Sequence, residues 1–342
     1  MNTRFVCAAL AALTFLTIVN KSAQADPLPH QIPKFAQLPL NGEPNGGPPT
    51  ILRPGVVIPP VAPFAGHDEL STAYRVDNPS GVVAYSGRYM ADDFADNFDT
   101  PVVHVQWWGS YLNEPTTEPN QVQRFLISFE SDVKAGPNTE NPFDFSHPGL
   151  PLSNQVVSLG AAVAPGVFQE RAIPTAAGSV DGQLYQYNAE LALPFNQAKG
   201  EIYWLKIVAL DDHLADDPAA IQWGWHDRDY GIFDPLAAPV LPGERLIGPV
   251  GLPDVWHFQD DAVTGTLDIQ PNPEPGPPIL VRQFDDWVPQ NYIPGIDIPT
   301  FFPNDLSKDL AFVLYTVPEP GSLVLLGVSV VALLLFKRRR VR

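Results

Sequence analysis

Apolar residues recur in short alternating runs between turn residues from about residue 64 onward. Strands are expected at 82–85, 102–112, 122–130, 184–193, 201–210, 221–225, 279–284 and 310–316. In the second run Val103, Val105, Trp107 and Tyr111 share one face, and His104, Gln106 and Trp108 share the other. In the fourth, Tyr185, Tyr187, Ala189, Leu191 and Leu193 oppose Gln186, Asn188 and Glu190. No long segment between the two ends carries the 3.6-residue period of a helix. Many short strands with Gly and Pro turns give an all-β sandwich. The long connections favour a jelly-roll-like topology over simple hairpins.

Proline divides the rest. Residues 26–63 hold 11 prolines, which oppose helix and central strand alike, so an extended, mobile leader is expected there. Residues 270–278 and 288–304 are further proline-rich stretches, expected as loops laid over the sandwich. The expected organisation is a signal peptide at 1–25, the leader at 26–63, the sandwich at 64–316 and a terminal signal at 317–342.

The two ends differ from the middle. Arg4 precedes an apolar run over 5–19, and Ala23 and Ala25 flank Gln24 ahead of Asp26. This is the layout of a secretory signal peptide cut by signal peptidase before Asp26. At the other end, residues 321–336 are uncharged and mostly apolar, and Lys337, Arg338, Arg339, Arg340 and Arg342 follow. A single transmembrane helix over those 16 residues would be about 24 Å long, short of the bilayer's hydrocarbon core of about 30 Å. The basic cluster would remain in the cytoplasm.

Charge and cysteine narrow the function. The chain has a formal net charge of −18. Between the terminal segments stand 13 basic and 38 acidic residues, a net −25. Such a surface repels phosphate backbones, which excludes nucleic acid as a partner. The single cysteine, Cys7, lies in the signal, so the exported part has neither a disulfide nor a thiol ligand.

Candidate chemistry is sparse. The seven histidines form no H-x-H or HExxH pattern, and no G-x-S-x-G elbow or Gly-rich phosphate loop occurs. No catalytic residue is assigned and no enzyme is expected. Aspartates cluster at 92–99, 211–217, 260–261 and 285–286; these read first as acidic turns and solvated loop ends. A structural calcium ion is the sharper reading, with Asp92 and Asp93 as its ligands, because calcium takes six to eight oxygens. No other cofactor is expected. One of Trp107 and Trp108 is expected in the core and the other part-exposed. Trp108, Trp225 and His226 form the candidate surface for an extracellular polysaccharide, since sugar rings stack on exposed aromatic faces.

Val317-Pro318-Glu319-Pro320, the apolar segment and the Arg cluster, in that order, resemble the PEP-CTERM sorting domain. That resemblance implies an exosortase-type membrane protease as partner, cleavage at or near the motif, temporary anchoring in the inner membrane, and delivery to the cell surface or extracellular matrix. ADDF (91–94), WWGSY (107–111), FSHPG (145–149), IYWL (202–205) and WGWH (223–226) resemble an uncharacterised extracellular β-domain found with this tail. The expected function is a surface or matrix protein with a structural or carbohydrate-binding sandwich. An extracellular glycan-active enzyme on a jelly-roll scaffold is the alternative.

Overall fold

The computed structural model describes residues 30–39, 50–51, 68–77, 83–96, 99–113, 121–133, 146–175, 183–228, 232–233, 262–270, 280–284, 286–289 and 309–317. The signal peptide, the apolar C-terminal segment, the basic tail and most of the 270–278 and 288–304 stretches lie outside these residues. Among the described residues there are strands and no helix.

The strands in chain order are β1 (Ile32–Gln37), β2 (Thr50–Ile51), β3 (Asp68–Leu70), β4 (Thr72–Val76), β5 (Ala84–Phe94), β6 (Val102–Tyr111), β7 (Arg124–Val133), β8 (His147–Leu159), β9 (Val167–Ala172), β10 (Leu184–Phe195), β11 (Tyr203–Asp211), β12 (Trp223–His226), β13 (Ile232–Phe233), β14 (Val263–Gln270), β15 (Leu280–Gln283), β16 (Val288–Pro289) and β17 (Phe312–Thr316). Hydrogen bonds run along the path β1-β17-β6-β10-β9-β8-β7-β11-β4-β5-β14-β15, while β2 pairs with β13 alone.

That path folds back into two layers. Phe125 of β7 lies 5.2 Å from the Trp107 ring of β6 and 4.8 Å from Trp223 of β12. Strands β6 and β7 are separated by three others along the path, so these rings meet edge to face across the layers. The first layer holds β8, β7, β11, β4, β5 and β14 to β16. The second holds β9, β10, β6, β17, β12, β3 and β1. A two-residue parallel step, Ser158↔Val167 and Leu159↔Phe168, joins them. The chain changes layer from β3 to β4, β5 to β6, β6 to β7, β8 to β9, β10 to β11, β11 to β12, β12 to β14 and β16 to β17. This is the jelly-roll-like habit, with parallel β8–β9 and β4–β11 pairs added.

Three apolar clusters follow from strand alternation. The main one lies between the layers and includes Trp107, Phe125, Phe129, Tyr187, Trp223, Trp225 and Phe312. A second, with Tyr89, Trp204, Val208 and Leu267, lies on the far side of the first layer. A small third, with Trp108, Leu184 and Val313, lies on the far side of the second. Trp223 sits against Gly109, where an added Cβ would come within 2.5 Å of its ring. Glycine is therefore required there for the indole to pack.

Proline conceals several strands. The leader contributes β1, N-terminal to the expected boundary of the sandwich at residue 64. It pairs with β17 through a register shift between Pro33 and Phe35, and Phe35 is buried against Phe312 with ring centroids 5.3 Å apart. The expectation of a mobile leader is corrected over Ile32–Gln37. Strand β8 carries Pro148 and Pro151, paired with Asp132 and Glu130 where the β7–β8 ladder shifts register. Bulges and edges admit a residue with no N–H to donate.

Candidate functional site

The outer face of the second layer carries an ordered set of polar side chains. Cross-strand pairing sets them in rows: Tyr315–His104–Glu190, Val313–Gln106–Asn188–Gln169, and Trp108–Gln186–Arg171. In the first row His104 Nδ1 lies 3.1 Å from Glu190 Oε2, which also accepts from Gln31 Nε2 at 2.7 Å. Burial pushes the Glu190 carboxyl up, but the bonds from His104 and Gln31 outweigh it and hold its pKa below the ordinary value. Tyr315 of the first row reaches into the second, where its Oη donates to Gln106 Oε1 at 3.1 Å, and Gln106 Nε2 donates to Asn188 Oδ1 at 2.9 Å. The relay has one direction and fixes which way the Asn188 amide is turned. In the third, Arg171 donates to Gln186 Oε1.

Beside these rows, His226 Nδ1 lies 3.0 Å from Asp68 Oδ1, and Ser110 Oγ donates to Asp68 Oδ2 at 2.7 Å. Serine and histidine thus both bind the carboxylate rather than each other, so this trio lacks the nucleophile–base contact of a hydrolase triad.

The residues expected to form an aromatic platform are placed otherwise. Trp108 and His226 do share this outer face, but Trp108 is 5% exposed and His226 is fully buried. Trp225 points the opposite way, into the inter-layer core, where its Nε1 donates to Ala311 O at 2.9 Å. A stacking surface made of the three is corrected: no open ring face remains, because a jelly-roll strand can be covered on both sides. The same holds for Trp107 and Trp108, both of which are buried.

Asp92 and Asp93 are corrected as a joint calcium site. They are consecutive on a regular stretch of β5 and point to opposite faces. Asp92 Oδ2 accepts from Leu310 N at 2.7 Å. Both residues, with Asp96, are buried rather than at solvated loop ends. No group of three or more His, Cys, Asp or Glu suited to a metal occurs among the described residues.

Three buried ion pairs were not legible in the sequence. Lys34 Nζ lies 3.3 Å from Asp96 Oδ2, Lys206 Nζ 2.7 Å from Glu130 Oε1, and Arg228 Nε 2.9 Å from Asp309 Oδ2. Burial pulls both lysines below their ordinary pKa, opposed by the partner carboxylates. Each pair joins residues at least 62 positions apart in the chain, so no local spacing could announce it.

No curated protein and no solved structure matches the chain. Residues 316–340 match the PEP-CTERM protein-sorting motif, which begins at the last residue of β17. The protein is therefore exported to the cell surface by way of the membrane and is a substrate of exosortase, a membrane protease. Residues 59–244 match the domain of unknown function DUF7901, which covers more than half of the sequence, and the chain belongs to that family.

Proposed function

We propose that the exported sandwich is a non-enzymatic structural component of the cell surface or extracellular matrix. One observation carries this reading: among the described residues, many of the side chains most useful for chemistry or stacking are consumed in the interior. Trp107, Trp204, Trp223 and Trp225 are fully buried, and so are both partners of the Lys34–Asp96 and Lys206–Glu130 pairs. Signal peptidase removes residues 1–25. The apolar segment 321–336 holds the chain in the inner membrane, with Lys337 and the arginines inside, until exosortase cuts near Pro318–Pro320.

Fractionation with intact-mass measurement tests the reading. The expected product begins at Asp26, ends near Pro318–Pro320 and partitions with the extracellular polymer. It releases no reducing ends from matrix polysaccharide. A membrane-bound product that retains Arg342, or polysaccharide hydrolysis by the pure protein, overturns it.

A further inference from the structure

We infer that, while its tail is anchored, the domain rests on the lipid bilayer through an apolar rim formed by Ile32, Leu150, Leu152, Leu193 and Val317. Strand register collects these residues at one end of the sandwich. Ile32 pairs with Thr316, next to Val317. Tyr315 pairs with His104 and Phe195 with Val102, so β17 and β10 end where β6 begins. The Phe195 ring stacks on Phe129 at 4.4 Å across the layers, which brings the end of β7 to the same place. There Ser131 pairs with Tyr203, and its Oγ accepts from Leu150 N at 2.9 Å. Gln155 Nε2 donates to Leu193 O at 2.9 Å and sets β8 beside the end of β10. The five side chains are between 37% and 75% exposed.

The length of the tether decides what covers them. Strand β17 stays paired through Thr316, and the uncharged apolar segment starts at Gly321. The five residue steps between them reach at most about 18 Å, whatever their conformation. The headgroup layer on one side of a bilayer takes about 5–8 Å of that. The end of β17 is therefore never more than about 13 Å from the membrane surface, and Leu193 stands only two strands away from it, about 10 Å along the sheet. Val76, Val83, Leu112 and Leu214 are also exposed, but they lie at the opposite end, beyond the ten residues of β6, a length of about 33 Å. The tether cannot bring that end to the bilayer without turning the domain over.

The chemistry of the contact is apolar. At the tethered end Lys199 lies between Asp99, whose Oδ1 accepts from Lys199 N, and Glu201, so this cation gives no basic patch for anionic headgroups. Five aliphatic side chains around one rim suit insertion between zwitterionic headgroups instead. Tethering gives the rim an effective concentration of about millimolar at the surface, so a contact too weak to hold the free domain is still made. A cut near Pro318–Pro320 removes that advantage, and the domain leaves. The inference rests on the anchoring proposed above, and it adds the surface through which the anchored domain stands.

The chain without residues 1–25 contains no cysteine, so one introduced thiol carries an environment-sensitive dye without background. The uncut chain is labelled at Leu193→Cys, or at Val83→Cys on the far end, and reconstituted in phosphatidylcholine nanodiscs. The Leu193 label should shift to the blue and be quenched by headgroup-nitroxide lipid, while the Val83 label does neither. The same Leu193 label on a chain ending at Pro320, mixed with the same lipid, should show no shift. Leu150→Ser with Leu152→Ser should reduce the shift at Leu193 without moving the thermal midpoint, since both are surface substitutions. If the Leu193→Cys chain does not fold, Leu150→Cys takes its place, with Leu152→Ser and Val317→Ser as the paired changes. An unshifted rim label, equal shifts at both ends, a shift that persists in the untethered chain, or one that the serine changes leave intact overturns the inference and leaves the fractionation result untouched. A chain that does not co-purify with the discs overturns the anchoring itself, and the inference with it.

Discussion

Lys206 Nζ lies 2.7 Å from Glu130 Oε1 on neighbouring strands, with neither side chain reaching solvent. Every remaining polar atom of the pair is met. Gln283 accepts from Lys206 at 2.6 Å and donates to Glu130 Oε2 at 2.6 Å, Ser128 donates to Glu130 at 3.0 Å, and the ammonium stands 4.0 Å from the Tyr89 ring. Removing one charge strands the other. Lys206→Met should cost about 3–5 kcal/mol in chemical denaturation. Lys206→Met combined with Glu130→Leu should recover at least half of that loss. Equal losses in the single and double variants would show that the pair's complementarity is not what the site needs.

Phe35 tests whether β1 belongs to the folded body. It is buried between Phe94, at 5.9 Å, and Phe312, at 5.3 Å. Phe35→Ala should destabilise the protein by about 3–5 kcal/mol, as for other large core truncations. A change within about 0.5 kcal/mol, the range of surface substitutions, would return β1 to the status of a leader.

Gly109 and Gly200 separate crowding from backbone strain. Gly109→Ala drives a methyl group into the Gly224 carbonyl oxygen and the Trp223 ring and should cost about 1–3 kcal/mol or more. Gly200 has φ of +72° and open space around it. Its alanine variant should lose only about 1 kcal/mol, from the left-handed conformation alone. Unfolding curves of the two variants give the order directly.

The Glu190 carboxyl has a folded pKa below its ordinary value of 4.5. Its contribution is therefore fully present above about pH 4.5 and is lost as the pH falls through the depressed folded value. Glu190→Gln should flatten that part of the acid limb and leave the slope near neutral pH unchanged. An acid limb of identical shape in the variant would exclude Glu190 as a source of it.

Alternation made β6, β7, β10, β11 and β17 legible, because each keeps apolar residues on every second position. It could not reveal β8 or β1, whose prolines read as breakers until the register shifts beside them are seen. Strand β14 was hidden by Thr264, Gly265 and Thr266, which dilute its apolar face. Gly265 is small because Tyr89 lies over it, where a Cβ would come 2.6 Å from the hydroxyl. The candidate site was legible only in fragments. Tryptophan and histidine stand out as residue types, but alternation assigns a side chain to a face without saying whether that face is covered. The amide rows depend on pairing among β9, β10, β6 and β17, and Asn188 and Val313, whose shared neighbour is Gln106, are 125 positions apart. The buried cations share this origin, in contacts made only when distant strands meet.

The register of β1 on β17 places Ile32 opposite Thr316. The first and last strands of the sandwich thus run antiparallel, with the two chain ends leaving from the same end of the pair. Tension applied through both ends meets that ladder in an unzipping geometry, one rung at a time, rather than in shear along its whole length. Any load carried through both ends falls first on the β1–β17 seam. Release of either end removes the load.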